Sequence, residues 1–346
     1  QLYVQDALSK KNENAHVGYA TVITNNATNG ELFTGYAIYA NSNSTATVTS
    51  GSATELVYWN IYGGDVTIEE NASTTATYVK NTGTLDIKGK AAITILDVYK
   101  GMDSKYADGM AKVTGTLVVN REFNIGNLEM DSTKYALKVE GIDTNPQLVV
   151  SGANAKITCG DGWTSSFGST VYDGGLLRLE DGANLYFSID NTTVQCWVSL
   201  TVNQGGRFEI DNSTAVFGTR TKLINAGTLA LKDATLKVSN LTNSGTIAVD
   251  LTSETNDVVK VIDYTGSDEK TLADYGTVTV AGNYTLEVRD NDLWAVQIKV
   301  AQIGSVQYPT LEAAVAAAQP GETIALLMNA RGNGISISKS ITIDFA

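Results

Sequence analysis

The sequence has one histidine, three prolines and two cysteines in 346 residues, and each shortage closes off a chemistry. With His16 alone, a multi-histidine zinc site is excluded and a Ser/His/Asp triad would depend on one residue near the start. Few prolines and no strict glycine period exclude a collagen-like protein. Positive charge is short as well. Lys and Arg number 24 against 37 Asp and Glu, a formal charge of -13, so no phosphate-tracking surface is expected and nucleic acid is not a partner. No apolar run approaches the roughly 20 residues of a membrane-spanning helix. Gly-x-Gly-x-x-Gly and the phosphate-loop signature are missing, as are the Asp-rich calcium loops, so no cofactor is expected. What remains is 43% hydrophobic and 18% charged, the composition of a folded protein.

Solubility is carried by Thr, Ser, Asn and Gly rather than by charge, which fits an extracellular all-β surface. A start at Gln1 without methionine reads as a mature protein after removal of a signal peptide, so export to the cell surface is expected. Cys159 and Cys196 fit either a disulfide or two buried thiols, and both readings stay open. Seven Asn-x-Ser/Thr triplets begin at Asn26, Asn43, Asn71, Asn191, Asn212, Asn240 and Asn283. In a sequence this rich in those residues about five would arise by chance, so they do not identify a host.

Between about residues 60 and 295 the sequence reads as strand after strand, short alternating apolar runs punctuated by Gly, Asn and Asp. A degenerate repeat underlies them. Asn81-Thr82-Gly83-Thr84-Leu85, Val113-Thr114-Gly115-Thr116-Leu117, Asn225-Ala226-Gly227-Thr228-Leu229 and Asn243-Ser244-Gly245-Thr246-Ile247 share one turn, often followed by strand, small-residue corner, strand. The turn glycines Gly175, Gly206, Gly227 and Gly245 are spaced by 31, 21 and 18 residues, near one solenoid coil with or without an insertion. Some ten coils at about 4.8 Å each would make a rod of about 50 Å. A pair of immunoglobulin-type sandwiches would also give short strands. It offers no reason for a recurrent Gly-Thr-Leu turn, and no Cys…Trp…Cys spacing is present. The expected fold is therefore an all-β parallel β-helix over residues 61–300. Residues 1–60 form a cap-like region, and residues 301–346 a β-α-β segment opening a second, truncated solenoid. In that tail Thr310 should cap a helix over 311–318, with strands at 322–327, 335–338 and 341–344.

The tail phrase Tyr308-Pro309-Thr310-Leu311-Glu312-Ala313-Ala314-Val315, running into Ile335-Ser336-Ile337-Ser338 and Ile341-Thr342-Ile343-Asp344, resembles the opening of β-helix domains in large bacterial surface proteins. With the Gly-Thr-Leu coils, the sequence resembles the adhesin-like, autotransporter-passenger-like family of right-handed parallel β-helices. That resemblance implies an exported, surface-displayed protein without catalysis, and it carries over no site residues.

Parallel β-helices also support carbohydrate-active enzymes, which need convergent carboxylates on one lateral groove. The best local cluster is Asp161-Gly162-Trp163, Asp173, Arg178, Glu180 and Asp181, and Asp290-Asn291-Asp292 is a second acidic group. Both read better as turn chemistry and polar strand faces. Aromatic residues are the stronger lead, because exposed rings stack on sugars and loops on a rigid scaffold concentrate binding. The candidates for glycan contact are Trp163, Phe167 and Tyr172, with Trp59 and Tyr62 before the first coils. The expected function is a non-enzymatic adhesin or rigid stalk, with partners among surface glycans, other surface proteins or copies of itself. The alternatives are a self-assembling filament, sheath or surface layer, and a carbohydrate-active enzyme.

Overall fold

The computed structural model describes residues 19–23, 33–41, 44–51, 53–62, 64–99, 109–126, 147–159, 167–187, 198–329 and 334–345. They build a parallel β-helix. One sheet has eleven strands, all parallel, from Tyr19–Ile23 to Thr277–Ala281, and a second, branched sheet has sixteen. One coil shows the path. Arg207–Asp211 lies on the first face, Thr214–Phe217 on the second and Thr221–Asn225 on the third, before Thr228–Lys232 returns to pair with Arg207–Asp211 in parallel. Earlier coils merge the second and third faces. The single long strand Thr116–Gly126 pairs with Lys156–Cys159 through its first half and with Phe167–Val171 through its end, and a register shift between Val119 and Glu122 marks the bend.

Alternation sets the core. Val66, Leu85, Ala111, Leu148, Leu177, Phe208, Leu229 and Ile247 stand in one register row and are at most 1% exposed. Each large aliphatic in such a row stabilises the fold by about 1.5–3 kcal/mol relative to exposure, and only stacking the coils makes the row continuous. Aromatic residues fill the wider section: Phe187 stacks on Phe217 at 5.0 Å between centroids and meets Phe123 edge-on at 5.9 Å.

The recurrent turn has a physical reason at each position. A Cβ on Gly245 would overlap the carbonyl oxygen of Gly227, and one on Gly227 would overlap those of Asn203 and Gly206. Close approach of stacked backbones, rather than a positive φ, requires these glycines. The Asn of the motif turns inward and ties one coil to the next. The Asn81 side-chain amide donates to Met110 O at 2.9 Å, that of Asn225 to Thr246 O at 3.0 Å, and that of Asn243 to Tyr275 O at 2.7 Å.

The strands of residues 19–62, set apart above as cap-like, join the same parallel ladders as the later coils. At the other end the stack is closed by antiparallel strands. Val258–Tyr264 pairs with Asp292–Gln297, which pairs with Tyr284–Arg289, and Tyr275 is buried beneath them with its hydroxyl donating to Asn291 O. Residues 301–345 have a separate small core of Ala301, Ala314, Val315, Ala318 and Ile324. The helix there is Leu311–Ala317, and Thr310 caps it by accepting from Ala313 N at 3.0 Å. Strands form at Thr323–Leu326 and Thr342–Asp344, whereas residues 335–338, expected as a strand, do not form one.

Candidate functional site

Of the aromatic candidates, the side chains of Tyr172 and Trp59 are described. Tyr172 follows the strand Phe167–Val171 at the corner leading to the first face; it is half-buried, and its N–H donates to Ile125 O at 2.7 Å. Phe167 opens that strand, but its side chain, like those of Tyr62 and Cys159, lies outside what is described, as do Trp163, Asp161, Gly162 and Cys196 entirely. Trp59 is 1% exposed, inside the core, with no hydrogen-bond partner for its indole Nε1. Its ring is therefore not presented to a sugar, a correction to the reading of Trp59 as a contact residue. It shares an inward register row with Val79, Leu96 and Phe123.

Arg178, Asp181 and Asp292 are engaged with separate neighbours. Arg178 reaches forward one coil, its Nε donating to Glu209 Oε2 at 2.8 Å, while Asp181 sits at φ +57° in the turn before Gly182 and accepts from Ser151 Oγ at 3.1 Å. Asp290 and Asn291, at φ +50° and +70°, form the tip of the closing hairpin. Asp292 is 8% exposed, accepts from Tyr264 N at 2.8 Å and pairs with Lys260 at 2.6 Å, so it holds the end of the ladder. Among the described residues no group of three or more His, Cys, Asp or Glu is placed to hold a metal.

A concave feature of the described surface lies elsewhere, on the outer side of the first face. A groove of about 390 Å³ is floored by Ala230 and Ala248 and edged by Glu209, Asp211, Lys232, Asp250 and Thr279. It exists because in-register positions carry methyl groups in two successive coils between larger neighbours: Glu209, Ala230, Ala248 and Thr279 are one row, and Asp211, Lys232, Asp250 and Ala281 the next. The signal was in the sequence as Thr228-Leu229-Ala230-Leu231 and Thr246-Ile247-Ala248-Val249, but a missing side chain is visible only once register is known.

The charges around this groove are already engaged. Burial pushes the Glu209 carboxyl up, but hydrogen bonds and charge from Arg178 and Arg207 outweigh it and hold Glu209 below the ordinary carboxylate value. The hydrogen bond and charge of Asp211, at 3.0 Å, hold the Lys232 ammonium above the ordinary lysine value. Asp250 is held low by the Thr252 hydroxyl and N–H, at 2.7 and 3.0 Å. Such an edge can hydrogen-bond a hydroxyl-rich ligand laid on the alanine floor.

Strand ends coincide between successive coils: Tyr99 pairs with Gly126 and Met110 with Gln147, and Cys159 pairs with Phe187 and Phe167 with Val198. No family model, curated protein or solved structure matches the sequence. Among the described residues no helix is long and apolar enough to cross a membrane. The class of protein is set by the fold, a parallel β-helix closed at one end by an antiparallel hairpin.

Proposed function

We propose that this protein is a non-enzymatic, surface-displayed module, a rigid β-helical stalk that acts as an adhesin by presenting corner segments to glycans. The observation that carries this reading is the uninterrupted eleven-strand ladder, whose ten steps of about 4.8 Å give a spacer of about 50 Å with a continuous core. Stiffness comes from stacking, and recognition is left to segments whose ends the stack fixes.

The test is binding of the purified protein to a broad glycan array, beside a variant carrying Trp163→Ala and Tyr172→Ala, with circular dichroism to confirm the fold. Selective binding lost in the variant is expected. Release of new reducing ends or unsaturated sugars from any polysaccharide would overturn the non-enzymatic reading.

A second reading, self-assembly, is favoured by one observation. Thr277–Ala281 carries no charged side chain and, among the described residues, pairs on one side only. Sedimentation at rising concentration tests it, with Thr279→Lys expected to suppress any polymer formed through that edge.

A further inference from the structure

The outer side of the third face carries a cluster that the coil repeat does not call for. The strands Ser73–Asn81, Lys90–Tyr99 and Thr116–Gly126 bring two outward rows into register, Tyr78, Ile95 and Glu122 in one and Lys80, Asp97 and Asn124 in the next. Between these rows Val79, Leu96 and Phe123 point inward and are completely buried. Further along the stack the second row continues as Thr170, Thr201 and Ile224, so its charged and amide groups end at Asn124.

Asp97 holds the cluster together. Although it faces outward it is only 8% exposed, because the Asn124 amide donates at 2.9 Å to its Oδ1 and the Tyr78 hydroxyl donates to its Oδ2. The Lys80 ammonium stands 5.2 Å from the centre of the Tyr78 ring. These contacts set the side chains before any ligand arrives, so binding bears little ordering cost. A carboxylate offers about four lone-pair sites and Asp97 uses two of them, which leaves acceptors for hydroxyl groups. Glu122 supplies a second carboxyl: burial pushes it above the ordinary carboxylate value, with Arg121 opposing the rise and Asp97 adding to it. Ile95, half-buried at the middle of its row, gives an apolar floor beside the Tyr78 ring.

Charge decides the class of ligand. Asp97 and Glu122 are matched by Lys80 and by Arg121, whose Nε lies 3.8 Å from Glu122 Oε1, so the cluster favours neither a polyanion nor a polycation. Carboxylates, an amide, an ammonium and an aromatic ring around one aliphatic side chain suit a sugar, which has apolar ring faces and hydroxyl edges. We infer that this cluster is a binding site for an uncharged sugar, seated over Ile95 beside Tyr78 with its hydroxyls on Asp97, Asn124 and Lys80. The inference rests on the glycan-binding reading above and adds to the corner segments a site on the rigid third face.

The experiment is saturation-transfer NMR titration with methyl glycosides of glucose, galactose, mannose and N-acetylglucosamine, run on the protein and on the variant carrying Trp163→Ala and Tyr172→Ala. At least one of these sugars is expected to bind both proteins alike. Ile95→Arg, which fills the floor, and Asn124→Ala, which removes the amide, should each weaken that binding by about tenfold or more. Circular dichroism confirms the fold, and Asn124→Ala decides alone if Ile95→Arg does not fold. Binding that both substitutions leave intact, or array binding lost in the Trp163→Ala, Tyr172→Ala protein with none of these sugars bound, overturns this inference and leaves the proposed function standing. Absence of binding in both the titration and the glycan array overturns the two together.

Discussion

The side-chain amide of Asn225 donates to Asn243 Oδ1 at 2.8 Å, one coil further on, and Asn225 is completely buried. Since the same amide also reaches Thr246 O, two coils are held at the corner by one side group that water cannot replace. Asn225→Leu is expected to lower stability by about 1–3 kcal/mol, the cost of leaving a buried acceptor unmet. Asn225→Asp should cost more at neutral pH than at acidic pH, because its carboxylate would face two oxygens. Urea unfolding of the three proteins at pH 7 and pH 4.5 checks both statements.

Close packing at the glycine corner gives a second expectation. Gly245→Ala places a methyl group inside the Gly227 carbonyl, and the coils must part to admit it. A loss on the order of 2 kcal/mol is expected from thermal unfolding, with enhanced amide exchange confined to the coils around residues 225–250.

Phe187, between Phe217 and Phe123, is the central ring of the aromatic row. Phe187→Ala should destabilise by about 3–5 kcal/mol and Phe187→Leu by much less, since leucine keeps most of the volume. Denaturant titration followed by near-ultraviolet dichroism reads the difference.

Glu209 makes stability depend on pH with a defined sign. Its folded value lies below the ordinary carboxylate value, so its contribution is present above about pH 4.3 and is lost as pH falls through the lower folded value. Glu209→Gln should flatten the acid limb of the stability profile below about pH 4.3. The pair is partly exposed, so the difference at neutral pH should stay near or below about 1 kcal/mol. Unfolding midpoints between pH 2.5 and pH 7 decide it.

Much of the fold was legible because a coil corner tolerates few residues. The spacings of 31, 21 and 18 between turn glycines are the ladder offsets of Leu176 to Arg207, Arg207 to Thr228 and Thr228 to Thr246. The three faces were harder to read. Lys90–Tyr99 rounds its corner near Thr94 with no glycine or turn residue to mark it, and Thr116–Gly126 has only Asn120 at the bend, so the pairing is what shows it. By sequence Trp59 falls in an aromatic cluster with Tyr58 and Tyr62, although alternation with Ile61 puts it on the inner side of its strand. The alanine-floored groove is a property of register across coils, and no single segment carries it.

The number of residues between stacked positions varies while the stack does not. Leu229 and Ile247 are neighbours 18 residues apart, whereas Ala111 and Leu148 are neighbours 37 residues apart, and both pairs sit in the same unbroken row. Doubling a closed loop adds only about 0.6 kcal/mol of entropy cost. The connection between Gly126 and Gln147 is therefore a permissive graft point, unlike the tight glycine turns at Gly227 and Gly245, and peptide there can be lengthened, exchanged or deleted while the coils above and below keep their seats.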